Sequence, residues 1–242
     1  MRRIVASTML ASLLPTAAHA APGLGDEVYG ATVSKGEVEA EIRYGRLGGG
    51  TDHGEDATKL ELGYGVSDSF RLAMVGEFEK EPGQPRKADS VAIEAIYELG
   101  NLGGKQGGVD FALYGEYEIG FLGPDKLETK LLVQHHKGPW DLRLNLIAAK
   151  PLASGAPVEL GYAMSADVET LGEVRLGVQA YGELGTFSRF APHAEHFAGP
   201  VVKFEIEGLD HELGLELGYL FALGKAKDDT DGQMRMKLEM EF

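Results

Sequence analysis

The sequence predicts an all-β fold, a transmembrane antiparallel β-barrel of about twelve strands, and three observations predict it. Apolar side chains recur at every second position through most of the chain. The alternating segments run about nine to eleven residues, the length a tilted strand needs to cross a bilayer. The face opposite the apolar one carries charge, where the core of a soluble sandwich would be apolar.

The first twenty residues, MRRIVASTMLASLLPTAAHA, place Arg2 and Arg3 before an apolar stretch from Ile4 to Leu14 and end on Ala18-His19-Ala20. This is the pattern of a cleavable secretory signal peptide, so residues 1–20 are read as signal and 21–242 as one barrel domain. Alternation then begins. In VEAEIRYG, Val38, Ala40, Ile42 and Tyr44 alternate with Glu39, Glu41 and Arg43; in TKLELGYGV, Leu60, Leu62, Tyr64 and Val66 alternate with Lys59 and Glu61. FRLAMVGEFEK and SVAIEAIYE repeat it, and further strands are expected near Val109–Ile119, Leu127–Gln134, Trp140–Ala149, Val158–Met164, Val174–Glu183, Pro200–Ile206, Glu212–Phe221 and Gln233–Phe242. Six positions of the polar parity are apolar: Val75, Ile96, Leu132, Ile147, Val201 and Leu220. They signal either a partly packed interior or a local slip of register.

With the C-terminus placed in the periplasm, the outward aromatics gather at two levels. Tyr64, Phe70, Phe111, Trp140, Tyr162 and Phe242 fall at the periplasmic rim, and Tyr44, Phe78, Tyr117, Tyr219 and Phe221 at the outer rim. Short turns at Ser67–Ser69, His135–Pro139 and Gly208–His211 are assigned to the periplasm, longer loops such as Gly48–Glu55 and Gly185–His196 to the outside. The glycine-rich stretch Gly100–Gly108 is the exception, a long connection on the periplasmic side.

Composition excludes several functions. The formal net charge of −15 becomes −17 once Arg2 and Arg3 leave with the signal, so no nucleic-acid partner is expected. There is no cysteine, which removes disulfides, thiolate catalysis and Cys-zinc sites. His193 and His196 form a His-x-x-His pair that Asp52 or His53 would have to complete, and the acidic loop Asp228–Gly232 lacks the later glutamate of a calcium loop. No metal or cofactor is expected. A lipid-modifying enzyme needs a Ser and a His on the lipid-facing wall; no serine sits in a G-x-S-x-G elbow, and no catalytic residue is assigned.

The closing run MRMKLEMEF, with Met234, Met236, Leu238 and Met240 alternating up to Phe242, resembles the C-terminal strand of proteobacterial outer-membrane proteins. That resemblance implies outer-membrane lipid as surroundings and the outer-membrane insertion machinery as a partner through the strand ending in Phe242. KGEVEAEIRYG, KLELGYGVSDSFRLAMVGEFEKEPG and ALYGEYEI are similar to an uncharacterised family near the MetA-like phenol-pathway barrel transporters. The similarity implies a barrel and assigns no substrate.

The expected lumen is lined by Glu39, Glu41, Glu61, Glu77, Glu94, Asp110, Glu116, Glu128, Glu216 and Glu239, with Arg43, Arg71, Lys130, Arg143, Arg175 and Arg235 as the principal bases. An acidic lumen concentrates cations and repels anions. The expected function is therefore a passive channel or small-solute transporter preferring cations or neutral solutes. The alternative is a non-conducting structural or partner-binding barrel, filled by its own inward side chains.

Overall fold

The computed structural model of the chain describes residues 23–104, 107–206 and 211–242. The segment read as a signal peptide and most of the Gly208–His211 turn lie outside the described residues. Twelve strands form the wall: β1 (Val38–Gly48), β2 (Asp56–Ser67), β3 (Phe70–Lys80), β4 (Lys87–Leu102), β5 (Val109–Gly120), β6 (Lys126–Lys137), β7 (Trp140–Pro151), β8 (Glu159–Leu171), β9 (Val174–Thr186), β11 (Glu195–Ile206), β12 (Glu212–Gly224) and β13 (Gly232–Glu241). The two-residue β10 (Arg189–Phe190) extends β9 beyond the wall. Each wall strand pairs antiparallel with its neighbours, and β1 pairs with β13 from Glu39↔Glu241 to Gly48↔Gly232, so the sheet closes and leaves no edge. Val38 and Phe242 exchange backbone hydrogen bonds of 3.3 and 2.9 Å, which fixes both at one end of the barrel. That end is called the terminal end below, and the opposite one the far end.

Period-two alternation becomes an inside and an outside because successive side chains leave a strand on opposite faces. Ile42, Leu62, Met74, Ile93, Leu146 and Val178 stand exposed on the outer surface, while Glu41, Arg43, Glu61, Glu94 and Lys130 are buried within. Tyr64, Phe70, Trp140 and Phe242 lie on the terminal ends of their strands, and Tyr44, Phe78 and Tyr219 in the far halves of theirs. Tyr162 is the correction. Because β8 runs on to Leu171, seven residues past Met164, Tyr162 sits near the far end, its hydroxyl 3.4 Å from the His196 ring on β11. His135 and His136, read as a turn, belong to β6, which leaves a tighter turn at Gly138-Pro139.

The six apolar residues of inward parity are all buried: Val75, Ile96, Leu132, Ile147, Val201 and Leu220. The register there holds, and the interior is packed. All but Val75 cluster with the chain's own N-terminal segment, residues 23–37, which lies inside the barrel ahead of β1. Leu24 and Val28 join a cluster with Leu47, Ile147, Tyr181, Phe197, Val201, Leu220 and Ala226. Tyr29, Ala31 and Val33 join a second with Ile96, Ala112, Tyr114 and Leu132.

Two inward glycines make room for this passage. At Gly45 on β1 a Cβ would lie 2.7 Å from the Gly25 nitrogen, and at Gly65 on β2 it would overlap the Ser34 carbonyl. These contacts also set the direction. The segment starts beside Gly45 in the far half, descends the lumen, and turns into β1 at the terminal end, where the Gly36 N–H donates to the Gly65 carbonyl at 2.7 Å. Gly36 has φ +84°, a left-handed conformation that glycine adopts without steric cost.

At the far mouth the loops between β1 and β2 and between β12 and β13 bond to each other. Asp52 N–H donates to the Asp229 carbonyl (3.1 Å), and Asp231 N–H to Gly48 (2.9 Å). The short 3₁₀ turn Lys225–Asp228 presses Ala226 into the upper apolar cluster.

Candidate functional site

Inward positions two apart on one strand face the same way, and antiparallel register sets them beside their neighbours' inward positions. Glu41 thus lies beside Glu61 and Glu239, and Arg43 beside Lys59 and Lys237. Acids next to acids and bases next to bases would repel, so the side chains cross between rows. Arg43, buried to 3 % exposure, reaches Glu41 at 2.8 Å, Glu61 at 2.6 Å and Glu27 of the segment at 3.5 Å. Arg71 bridges Glu39 (2.6 Å) and Glu61 (2.7 Å). Lys237 holds Glu27 (3.0 Å) and Glu41 (2.9 Å) and also meets Glu239. Lys59 holds Asp26 (2.5 Å) and Glu77 (3.2 Å).

Tyr29 is the centre of the second layer. Its hydroxyl accepts from Arg43 (3.1 Å) and donates to Glu94 (3.2 Å), and its ring stands 4.8 Å from that of Tyr114. The Lys130 ammonium lies 4.4 and 4.2 Å from the two ring centroids, a doubled cation–π contact, and bonds Glu128 at 3.0 Å. Tyr114 in turn donates to Glu116 at 2.5 Å.

The backbone of the segment is held by side-chain amides. Asn145, fully buried on β7, accepts from the Tyr29 N–H (2.8 Å) and donates to the Tyr29 carbonyl (3.0 Å). Gln134 on β6 accepts from the Ala31 N–H at 2.9 Å and donates to Asp141 at 2.8 Å. These amides stand in for a neighbouring strand, pairing backbone groups two residues apart.

Toward the terminal end the packing stops. A cavity of about 520 Å³ opens there, walled by the segment from Glu27 to Ser34 and by charged residues of the strand ends. One side carries Glu37, Glu39, Glu239 and Glu241; the other carries Arg143, Arg175 and Lys203. Arg143 bonds Asp141 (2.8 Å), and Asp167 binds both Arg175 (2.5 Å) and Lys203 (2.8 Å). Glu216 accepts from Gln179 at 2.8 Å, and Asp110 accepts from Asn101 at 2.7 Å at the terminal rim. Arg235 stacks over Tyr181, 5.3 Å from its centroid.

The inward carboxylates named from the sequence therefore fall into two groups. Those of the middle are engaged with bases and with the segment, and at the terminal end Glu39, Glu216 and Glu239 border the cavity while Asp110 bonds Asn101 at the rim. The histidines do not gather: His193 is exposed on its loop, while His196 neighbours Tyr162. Sequence reasoning missed Leu24, Asp26, Glu27, Val28, Tyr29 and Ala31. A signal for them existed, because six buried apolar positions on an otherwise charged face require an apolar partner.

No known protein family matches this chain, and no curated protein does. Among solved structures it is similar to a KdgM porin (TM-score 0.56, 10 % identity) and to the KdgM porin in complex with disordered oligogalacturonate (0.56, 8 %), each over 85 % of this chain and 98 % of that one. It is similar to the NanC porin at TM-score 0.55 and 11 % identity, over 84 % of this chain and 98 % of that one. At such identities the likeness shows the fold, a closed twelve-stranded antiparallel barrel of the kind found in porin-type outer-membrane proteins.

Proposed function

We propose that this protein is an outer-membrane barrel that passes small solutes, with residues 23–37 closing the lumen in the state described above. One observation carries the reading. The wall is apolar outside and charged inside around its whole circumference, and the polar interior ends in a cavity of about 520 Å³ instead of being filled to both ends. A barrel built only as a scaffold has no use for that unfilled, charged end. The outward aromatics at both ends stand where interfacial anchors would, and a terminal end facing the periplasm is part of the same proposal. Export by a cleavable signal and assembly through the strand ending in Phe242 belong to the same proposal, as does a cation or neutral-solute preference from the carboxylates around Glu37, Glu39 and Glu241.

A second reading, a permanently closed barrel, is favoured by the dense pairing around Arg43. Single-channel recording of the refolded full chain in a planar bilayer under a salt gradient separates the two. The transport reading expects rare cation-selective openings, which become frequent in Gly45→Val, where the added side chain takes the space of Leu24 and Gly25. Silence in both proteins, with folding shown by heat-modifiable gel migration, overturns it.

A further inference from the structure

The way the segment is held says what the lumen is built to hold. We propose that the barrel interior contains a binding site for an extended peptide, which residues 26–31 (Asp-Glu-Val-Tyr-Gly-Ala) occupy in cis, and that a free peptide of this pattern competes for it. The inference rests on the transport reading for its purpose, since it names the ligand class of the same lumen, but not for its geometry.

Three features make a site of it. On the segment, Asn145 and Gln134 bond to backbone groups, the N–H and C=O of Tyr29 and the N–H of Ala31. Any residue offers those groups, so this recognition reads an extended main chain and not one sequence, as a sheet edge does for an added strand. Beside it is an aromatic slot formed by Tyr114, Lys130 and Glu94, which takes the ring and the hydroxyl of residue 29. Above the slot, Lys59 and Lys237 receive the two consecutive carboxylates of residues 26 and 27.

These wall residues keep partners when the segment leaves. Lys59 still faces Glu77, Lys237 still faces Glu41 and Glu239, and Arg43 still faces Glu41 and Glu61. The bases of the wall are thus charge-compensated without the occupant, and its exchange strands no buried base; the Glu94 carboxylate takes its donor from the occupant's ring hydroxyl, so a competing peptide has to bring one at that position. A plug meant to be permanent would be expected to supply the only counter-ions of its lysines. The cavity at the terminal end borders the segment from Glu27 to Ser34, so an incoming peptide meets the site from that side without first unfolding the wall.

The absence of cysteine allows a direct test. Ala31 is fully buried, so in full-length Ala31→Cys the thiol is shielded while the segment is seated. The probe is the synthetic acetylated peptide Gly-Leu-Gly-Asp-Glu-Val-Tyr-Gly-Ala-Thr-Val, with its all-D counterpart as control. Because a tethered segment acts at an effective concentration in the mM range, the peptide is expected to work at about that level. The expected result is a saturable rise of at least tenfold in the rate of labelling by a charged methanethiosulfonate reagent, absent with the D-peptide. In the additional background Asp26→Asn/Glu27→Gln, which weakens only the occupant, the half-effective peptide concentration is expected to fall about tenfold. A labelling rate that no peptide concentration changes in either protein, both folded by heat-modifiable migration, overturns the site. Labelling reads the site whether or not current flows. A peptide-driven rise in a silent bilayer therefore keeps the site and removes the channel, and current without a peptide response does the reverse.

Discussion

The far and terminal halves of the lumen are built from the same alternating strands, yet one is packed and the other is hollow. In the far half and the middle, inward Leu47, Ile147, Phe197 and Leu220 close on Leu24 and Val28, and Arg43, Lys59 and Lys237 each meet carboxylates. At the terminal end the inward residues are charged and the space between them is open. The difference shows that strand parity decides only which way a side chain points. Whether the interior is dry depends on a segment that belongs to no strand. Where the segment supplies apolar residues, the wall answers with apolar residues; where it has thinned to Thr32, Ser34 and Gly36, the wall is polar.

That contrast can be broken most severely at Arg43. Replacing it with alanine leaves Glu41, Glu61 and Glu27 facing one another in the buried middle and removes the donor to Tyr29. A loss of about 3–5 kcal/mol is expected for removing one partner of a buried ion cluster. It is read as a large drop in the temperature at which the folded gel band disappears. Leu220→Ala opens a void in the packed half and should cost about 3 kcal/mol by the same measurement. Tyr29→Phe keeps the ring and deletes the hydroxyl between Arg43 and Glu94, and about 1–2 kcal/mol is expected for leaving that carboxylate short of a donor. At the hollow end Glu37→Gln should change stability by no more than about 0.5 kcal/mol. It should instead move the reversal potential of any openings toward zero. If Glu37→Gln proved as destabilising as Leu220→Ala, the two halves would not differ in the way described.

How much of this was legible in the sequence follows from the distances involved. The strands are local objects, and Glu39, Glu41 and Arg43 reveal their face by spacing alone. Strand ends were less legible: past Met164 the alternation continues with Ala166 and Val168 outward against inward Ser165 and Asp167, but residues so small and polar read like a loop. The segment was not legible, because it has no period and its partners are remote. Tyr29 meets Glu94 65 residues on and Asn145 116 residues on. The charged site residues on strands were therefore found with the strands, the uncharged Tyr114, Gln134 and Asn145 were not singled out, and the occupant was visible only as an unexplained need, at Leu132 and Leu220, for something apolar to touch.

The seam between β1 and β13 joins the two ends of the wall, and this has a consequence for assembly. Bringing Val38 to Phe242 closes the longest loop in the molecule, which makes it a slow, late step. The segment continues directly into β1 and is held by Gln134 and Asn145 on β6 and β7, across the barrel from that seam. If these contacts form first, they would tie the first strand to the opposite side of the open sheet before the last strand arrives, and the wall would curl around an existing strut. Loss of the Asn145 amide should then lengthen the refolding half-time more than it lowers the melting temperature. That outcome would mean an order of construction that runs from the inside outward.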